Sequence, residues 1–268
     1  MDRFGEELRF AVGLVRQAGA LVRESYGRVQ TVTAKGRRDV VTDVDHRSEA
    51  LLVGGITRRY PDDAILAEEA GLGGKAGGPR TWMVDPLDGT INYANGIPYF
   101  CVSVGLVVDG QPVVGAVLDP LRDDLYAASA DGPARLNDRV VRASRKAALA
   151  DFVVSLTVLG NSRAGVPRVT EAIRINRRMG SAALSLASVA AGRFDAFIQN
   201  GGLSRWDVAA AGFIAERGGA RVTSLAGGPW WDPGQAGPLL NIVAAPPVHH
   251  PAILDLVAAA GIAVDATR

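Results

Sequence analysis

The chain has 268 residues, of which 48% are hydrophobic and 21% are charged, and its formal net charge is +1. A chain of this length can bury a large core, as one large domain or two closely joined halves. Its near-neutral charge gives no argument for a nucleic-acid partner or an anionic membrane surface, and we expect neither.

Cysteine content and hydropathy also bear on the cellular location of the protein. Cys101 is the only cysteine, so no intramolecular disulfide can form, which is consistent with the reducing cytoplasm that we expect as its location. The first 27 residues carry charges throughout, and no stretch approaches 18 uncharged apolar residues. We therefore predict neither a signal peptide nor a membrane span.

Two amphipathic helices are predicted near the start of the chain. Apolar residues recur at helical spacing over residues 3–26, with Asp2 as an N-cap and Gly27 as a stop. A polar hairpin or loop follows, and a second helix is predicted over residues 46–60.

Strand patterns follow these helices. Residues 65–67 and 81–84 are predicted strands, and the glycine-rich segment 71–80 between them is predicted to be a flexible loop. From Phe100 onward, two apolar runs flank an Asp-Gly pair at 109–110, which favours a hairpin turn. Two helices on a mostly antiparallel sheet are therefore expected in the first half.

The second half alternates strands and helices, which is typical of an α/β arrangement. The predicted strands are 152–156, 194–198, 220–223 and 240–244, and the predicted helices are 182–191, 204–217 and 251–260. We place a boundary near residue 145, between an α+β and an α/β subdomain.

Two carboxylates end an apolar strand in the segment TWMVDPLDGTINY, residues 81–93. Asp85 and Asp88 stand three residues apart, at a place where burying charge is costly unless it is compensated. A turn is one explanation, because Asp, Pro and Gly are turn formers. A metal site is the more specific explanation, because cations neutralise carboxylates and Mg²⁺ takes oxygen ligands.

Further acidic residues stand at comparable positions along the chain. Glu68 and Glu69 follow a predicted strand, and Asp207 lies in the first turn of a helix that Ser204 would cap. Taken alone, the two glutamates would be interpreted as solvated loop charges. Asp207 alone would be interpreted as a charge stabilised at a helix N-terminus.

The residues after Asp88 favour a site for phosphate as well as cations. Two Mg²⁺ ions about 3.5–4 Å apart can clamp a phosphoryl group, with a bridging aspartate and flanking carboxylates as ligands. Gly89 and Thr90 add backbone N–H groups at a predicted helix start, where anions bind readily. Metal ligands followed by phosphate donors within six residues indicate phosphoryl transfer.

Five blocks of the chain resemble blocks of the inositol monophosphatases, part of a larger lithium-sensitive, Mg²⁺-dependent phosphatase superfamily. WMVDPLDGTINYANGIPYFCVSVGL (82–106) is similar to the first family signature, and WDVAAAGFIAERGGARV (206–222) to the second. The other blocks are KGRRDVVTDVD (35–45), ILAEEA (65–70) and RRMGSAALSLASVAAGRFDAF (177–197). They cover nearly the whole chain in the family's order.

The resemblance implies Mg²⁺ as cofactor and assigns its ligands residue by residue. A first ion would be held by Glu68, Asp85 and the backbone carbonyl of Leu87, and a second by Asp85, Asp88 and Asp207. A third, weaker ion of the family would also use Glu68.

The same resemblance assigns the water and phosphate groups. Asp45 and Thr90 match the pair that orients and activates the attacking water, and Glu68 joins them in the catalytic set. Gly89 and Thr90 match the backbone donors to phosphate. Because water is the nucleophile, no covalent enzyme intermediate is needed.

The alcohol half of the substrate is expected to contact a second set of residues. Gly180, Ser181 and Ala182 match the substrate-side turn of the family. Where the family often has a glutamate that bonds an inositol hydroxyl, this chain has Gln199 or Asn200. An amide can still bond a hydroxyl, but it carries no charge.

We therefore expect a Mg²⁺-dependent phosphomonoesterase that hydrolyses inositol monophosphate and related small sugar or polyol phosphates. The alternatives are a fructose-1,6-bisphosphatase, a histidinol phosphatase or a 3′-phosphoadenosine nucleotide phosphatase of the same superfamily. A non-catalytic metal- or phosphate-binding regulatory protein on the same fold is the alternative from another class. The resemblance also implies a homodimer and inhibition by lithium.

The expected fold is a layered αβαβα sandwich of the α+β/α/β class. Its N-terminal subdomain (1–145) would carry most metal ligands, and its C-terminal subdomain (146–268) would carry Asp207 and the substrate-side residues.

Overall fold

The computed structural model describes residues 3–28, 31–36, 39–75, 77–234 and 240–262. Within these ranges the chain forms seven α-helices: α1 (Gly5–Ser25), α2 (Asp43–Arg59), α3 (Thr90–Ala94), α4 (Val166–Ala172), α5 (Ala182–Val189), α6 (Arg205–Arg217) and α7 (His250–Ala259). The first ten strands of the same ranges are β1 (Val32–Gly36), β2 (Asp39–Thr42), β3 (Ala64–Ala67), β4 (Gly71–Gly74), β5 (Arg80–Asp88), β6 (Cys101–Val108), β7 (Gln111–Asp119), β8 (Asp124–Ser129), β9 (Arg135–Leu136) and β10 (Arg139–Val140). The last five are β11 (Val153–Thr157), β12 (Ile175–Arg177), β13 (Ala196–Leu203), β14 (Arg221–Thr223) and β15 (Leu240–Ala245).

The strands form two sheets and a separate β1–β2 hairpin. The large sheet has eight strands in the order β10-β9-β8-β7-β6-β5-β3-β4, and the small sheet has five in the order β12-β11-β13-β15-β14. In the large sheet β3 pairs parallel with β5 and the other neighbours pair antiparallel, as predicted for the first half. In the small sheet β11 pairs parallel with both β12 and β13.

Three apolar clusters separate five layers of structure. The first joins α1 and α2 to one face of the large sheet, through side chains such as Leu14, Leu52 and Trp82. The second surrounds α5 and α6 between the two sheets, and the third packs α4 and α7 on the outer face of the small sheet. Since each sheet and helix pair must bury an apolar face, the result is the predicted layered αβαβα sandwich.

Helix α6 lies directly on the large sheet because glycines on two adjacent strands leave room for it. A Cβ placed on Gly115 would lie 2.6 Å from the carbonyl oxygen of Ala210, and one placed on Gly105 would lie 3.1 Å from the Ala210 nitrogen. These contacts set the distance between the sheet and the helix that carries Asp207.

Several element boundaries differ from the prediction. The segment predicted as a loop at 71–80 begins with β4, which pairs antiparallel with β3. The prediction was wrong because a glycine strand pairs through its backbone and has no side-chain pattern to detect. Helix α4 and strand β12 were also not predicted.

Helix α2 begins at Asp43, three residues before the predicted start. Thr42 caps it in a capping box, in which Asp45 at the third helical position bonds back to the Thr42 backbone. At the start of α1, Phe4 occupies the N-cap position without a side-chain hydrogen bond. The predicted cap, Asp2, lies outside the described residues, as do Arg37 and Arg38 of the predicted hairpin.

In the described part of the chain no helix is both long and apolar enough to cross a membrane. The division into subdomains near residue 145 stays a prediction.

Candidate active site

The parallel pairing of β3 with β5 brings two acidic residues together at the same end of these two strands, and this end of the large sheet is called its edge here. Ala67 pairs with Val84, and the next residues along the two strands are Glu68 and Asp85. The Glu68 backbone N–H donates to the Val84 carbonyl at 3.2 Å. Parallel strands end on the same side of a sheet, so these acidic residues meet there.

Three carboxylates converge beside this edge. Oxygens of Asp85, Asp88 and Asp207 all lie within 4.8 Å of one another. Asp85 is buried, with 1% of its surface exposed, while Asp88 and Asp207 are partly exposed to the cleft. Glu68 lines the same cleft but stands outside this group of three. The four come from different parts of the chain, on β5, α6 and the end of β3.

Burial, together with the crowding of negative charge, raises the pKa values of these carboxyl groups. Burial raises the pKa of Asp85 well above its ordinary value, and the charges of Glu68, Asp88 and Asp207 add to the effect. Burial, followed by the charge of Asp88, raises the pKa of Asp207 to about 7. Like charges this close need compensation, and a set of only oxygen donors fits a hard metal ion.

Each of the three carboxylates is also fixed by the protein. The bonds run from the Leu87 N–H to Asp85 (3.1 Å), from the Ser181 hydroxyl (2.6 Å) and Ala183 N–H (2.7 Å) to Asp88, and from the Ser204 N–H to Asp207 (2.6 Å). The bond to Asp207 belongs to the capping box of α6. Such bonds orient ligand groups before a metal binds.

Asp45 and Thr90 form a pair on the wall of the same site. The Thr90 hydroxyl lies 3.0 Å from Asp45 Oδ1 and 3.0 Å from the Leu87 carbonyl oxygen, so it can donate to either. Asp45 Oδ2 accepts the Thr42 N–H at 2.9 Å and its hydroxyl at 2.5 Å. Burial raises the pKa of Asp45, although these hydrogen bonds oppose the shift.

Helix α2 supports the site through two residues that the sequence did not single out. The Ser48 hydroxyl donates to the Pro86 carbonyl at 2.8 Å. The Glu49 carboxylate accepts the backbone N–H groups of Glu69 at 2.8 Å and Ala70 at 2.9 Å. These residues follow Asp45 at i+3 and i+4, a spacing that places all three on one helix face and is visible in the sequence.

The site opens into a cleft of about 780 Å³. Most of the predicted site residues line it: Glu68, Asp85, Leu87, Asp88, Gly89, Thr90, Gly180, Ser181, Ala182, Gln199 and Asp207. Asp45 lies behind Thr90, and Asn200 does not line the cleft.

Asn92 on α3 joins the segment that follows Asp88 to the turn before α5. Its amide donates to the carbonyl oxygens of Tyr99 and Met179, each at 2.7 Å. Gly180 follows with φ +82°, and a Cβ there would lie 2.8 Å from Asn92 Oδ1. Sequence analysis did not identify this contact, because it joins residues 87 positions apart.

The two candidate amides, Gln199 and Asn200 in the middle of β13, have different surroundings. Gln199 lines the cleft, and its amide donates to the Gly201 carbonyl at 3.0 Å. The Asn200 side chain instead accepts the Leu159 N–H at 2.6 Å and donates to the Leu159 carbonyl at 3.3 Å. The pairing of β13 with β15 is irregular between Gln199 and Leu203, immediately after Gln199.

The chain is similar to known proteins over nearly its full length. The profile of the inositol monophosphatase family matches residues 5–261. An inositol-1-monophosphatase of Synechocystis is 38% identical over 225 residues, covering 81% of this chain and 78% of the relative. A protein named Nus factor SuhB of Vibrio cholerae is 35% identical over 257 residues, covering 92% and 94%.

Solved structures agree with this similarity. An IMPase structure from Thermotoga maritima matches with a TM-score of 0.86 and 31% identity, covering 96% of this chain and 98% of that one. The layered sandwich and its carboxylate cluster thus define a phosphoric monoester hydrolase. The chain belongs to the inositol monophosphatase family and is an inositol-1-monophosphatase-like enzyme.

Proposed function

We propose that this enzyme hydrolyses inositol monophosphate, and related small sugar or polyol phosphates, with Mg²⁺ as cofactor and water as nucleophile. The observation that carries the proposal is the convergence of Asp85, Asp88 and Asp207 within 4.8 Å, in the cleft that Thr90 also lines. Fixed carboxylates beside a hydroxyl–carboxylate pair are the groups that metal-assisted hydrolysis needs.

The metal ligands in this proposal are all oxygen donors. Glu68, Asp85 and the Leu87 carbonyl would hold one Mg²⁺, and Asp85, Asp88 and Asp207 a second, with Asp85 between them. When bound, Mg²⁺ supplies positive charge that favours ionisation of water and stabilises the phosphoryl oxygens and the leaving alkoxide. The hydrogen bonds from Leu87, Ser181 and Ser204 hold the carboxylates in position for this role.

Thr90 and Asp45 would position the water and accept its proton. When Thr90 donates its hydroxyl hydrogen to Asp45, a lone pair of Thr90 Oγ1 can accept a hydrogen bond from water. Asp45 then serves as the acceptor at the end of this short relay. The water oxygen bonds to phosphorus as the ester P–O bond breaks, and the released alkoxide takes up a proton.

The remaining groups would bind the two halves of the substrate. Gly89 has φ +100° at the start of α3, and its backbone N–H and that of Thr90 would donate to phosphate. Gly180, Ser181, Ala182 and Gln199 would contact the alcohol. Gln199 would take this role in preference to Asn200, because the Asn200 amide pairs with the Leu159 backbone.

The experiment is a panel assay of phosphate release with Mg²⁺ and with excess chelator. The substrates are myo-inositol 1-phosphate, fructose 1,6-bisphosphate, histidinol phosphate and adenosine 3′,5′-bisphosphate. We expect Mg²⁺-dependent turnover of inositol 1-phosphate, inhibited by millimolar lithium, together with turnover of other small sugar phosphates. Full activity in excess chelator would contradict the metal mechanism.

We further propose that the enzyme is a cytoplasmic homodimer, with sedimentation analysis as the check on its oligomeric state.

A further inference from the structure

Glu49 is a buried carboxylate on α2, and the mechanism proposed above gives it no role. The residue is 6% exposed. Its Oε2 accepts the Glu69 backbone N–H at 2.8 Å, and its Oε1 accepts the Ala70 backbone N–H at 2.9 Å. Burying a carboxylate is costly unless it is hydrogen-bonded, so these two bonds stabilise Glu49 in this position.

The same two bonds fix the turn that carries Glu68. Residues 68–70 connect β3 to β4. The Glu68 N–H donates to the Val84 carbonyl of the neighbouring strand at 3.2 Å, and the next two N–H groups of the turn donate to Glu49. Hydrogen bonds to a charged acceptor are roughly twice as strong as those between neutral groups. Glu49 therefore determines the position of the turn, and with it the point from which the Glu68 side chain extends.

Helix α2 also holds the second chain segment of the proposed first metal site. Its Ser48 hydroxyl donates at 2.8 Å to the carbonyl of Pro86, the residue after Asp85. Ser48 and Glu49 are consecutive, so one turn of α2 contacts both the segment that carries Asp85 and the segment that carries Glu68. The two segments come from different strands, and α2 joins them.

The proposed second metal site is supported by other elements. Asp88 accepts the hydroxyl of Ser181, the N-cap residue of α5, at 2.6 Å. Asp207 accepts the backbone N–H of Ser204, the N-cap residue of α6, at 2.6 Å. The two proposed metal sites thus share Asp85 but differ in the helices that support their other ligands.

We infer that Glu49 is a positioning residue for the first metal site, and that it acts through the backbone of the turn 68–70 rather than by contact with an ion. This inference rests on the proposed function and deepens it, because it makes occupancy of the first site depend on α2. The first site can then be weakened while all of its ligands are present and the second site is retained.

Two substitutions separate the effect of position from the effect of charge. Glu49→Gln keeps the shape but has a single acceptor oxygen, so its amide NH₂ group would face a backbone N–H donor. Glu49→Asp keeps the charge and both oxygens, but its side chain is shorter by a methylene group, so its oxygens fall short of the turn. A positioning role predicts that both variants weaken the first site, whereas a purely electrostatic role predicts that only Glu49→Gln does.

Asp63 provides a matched control. It precedes β3, at the end of the strand opposite Glu68, and it is 8% exposed. Its carboxylate also holds two neighbours, the Trp82 indole N–H at 2.8 Å and the Arg80 guanidinium at 3.0 Å. Asp63 does not line the cleft. Asp63→Asn therefore removes a comparable buried carboxylate without changing either metal site.

The test is a calorimetric titration of Mg²⁺ into the metal-free protein, without substrate. Glu68→Gln identifies the binding step of the first ion, and Asp207→Asn identifies that of the second. We expect Glu49→Gln and Glu49→Asp each to weaken the first step by about tenfold, the lower range for residues that orient metal ligands, and to leave the second step unchanged. Asp63→Asn should match the wild type in both steps, although it lowers Tm.

Turnover of inositol 1-phosphate across a Mg²⁺ series gives the kinetic counterpart. The Mg²⁺ concentration at half-maximal turnover should rise by about tenfold in Glu49→Gln. At saturating Mg²⁺, kcat should recover to near the wild-type value, because every metal ligand remains.

Unchanged Mg²⁺ affinity at the first step in Glu49→Gln would overturn the positioning role. Wild-type affinity in Glu49→Asp would also overturn it, since only a charge effect would remain, and so would an equal loss in Asp63→Asn, since that would indicate general destabilisation. A wild type that binds Mg²⁺ but hydrolyses no phosphomonoester would instead contradict the proposed function, and the titration would still test the role of Glu49. A wild type that binds no Mg²⁺ would contradict both.

Discussion

The two sides of the cleft differ in the side chains that line them. One side, the carboxylate edge, consists of Glu68, Asp85, Asp88 and Asp207. Three of these carboxylates accept a hydrogen bond from a backbone N–H. The other side, the alcohol wall, consists of residues 178–182 and Gln199. It includes Arg178, small side chains and one amide.

This difference separates the residues expected to determine the reaction from those expected to determine substrate choice. Buried like charges are costly, so the carboxylate edge is stable only with compensation, and its groups tolerate few replacements. The alcohol wall is less constrained at its exposed position Arg178, where a side chain changes at little cost to stability, than at Ser181, which is buried and bonds Asp88. Mutations on the carboxylate edge should abolish the reaction, while mutations on the alcohol wall should redistribute it among substrates.

The largest effect is expected at Asp85. Asp85→Asn keeps the shape and removes a charge shared by both proposed metal sites, so turnover should fall by at least roughly a thousandfold. Steady-state kinetics across a Mg²⁺ series measures it. Asp62→Asn is the control, because Asp62 is exposed and pairs with Lys75. If Asp85→Asn kept more than a tenth of wild-type turnover with unchanged metal affinity, the bridging role would be wrong.

Thr90 should show the next largest effect. Thr90→Val keeps the side-chain shape and removes the hydroxyl that reaches Asp45, so kcat should fall by about a hundredfold, the lower range for proton-transfer groups. KM should change little, since the backbone N–H groups remain. Thr170→Val is the control, because Thr170 is a half-buried threonine on α4 that does not line the cleft. A fall in kcat smaller than about threefold would contradict the role of Thr90 in the proton relay.

Gln199 tests the alcohol wall. Gln199→Glu introduces a charged acceptor toward a substrate hydroxyl, so kcat/KM for inositol 1-phosphate relative to a second sugar phosphate should rise by about tenfold. Gln111→Glu on the exposed start of β7 controls for the added charge. A large loss of turnover on all substrates, without a change in this ratio, would contradict the claim that the alcohol wall determines substrate choice and not the reaction itself.

The smallest effect on function is expected at Asn200. Asn200→Ala removes both bonds to the Leu159 backbone, which should lower the free energy of unfolding by about 2 kcal/mol and Tm by about 4–8 °C. Thermal melts and the same substrate ratio measure it. Asn95→Ala, at an exposed asparagine, is the control. A change in the ratio of the kcat/KM values would mean that Asn200 does contact the substrate.

The carboxylate edge could be predicted from the sequence partly by local signals and partly by the family resemblance. Asp85 and Asp88, at the end of an apolar run, favoured a metal site by themselves, whereas Glu68 and Asp207 were assigned by the resemblance. Local signals lie within a few residues of one another. The layered fold was predictable for the same reason, since periodicity and turn residues are local properties.

The rest depends on contacts between distant parts of the chain. The bond from Asn92 to Met179 and the bonds from Glu49 to the segment after Glu68 have no local signature. The choice between Gln199 and Asn200 depends on the register of β13, because consecutive residues of a strand face opposite sides of the sheet. Strand β4 went undetected because glycine leaves no side-chain pattern.

The contact of α6 with Gly105 and Gly115 has a consequence for how variants of this enzyme are judged. A methyl group added at Gly115 would lie against the Ala210 backbone, three residues beyond Asp207 on the same helix. The helix would have to move away from the sheet, and Asp207 would move with it. A substitution far from the cleft, and absent from any catalogue of active-site residues, would then weaken metal binding while every ligand remained in the sequence.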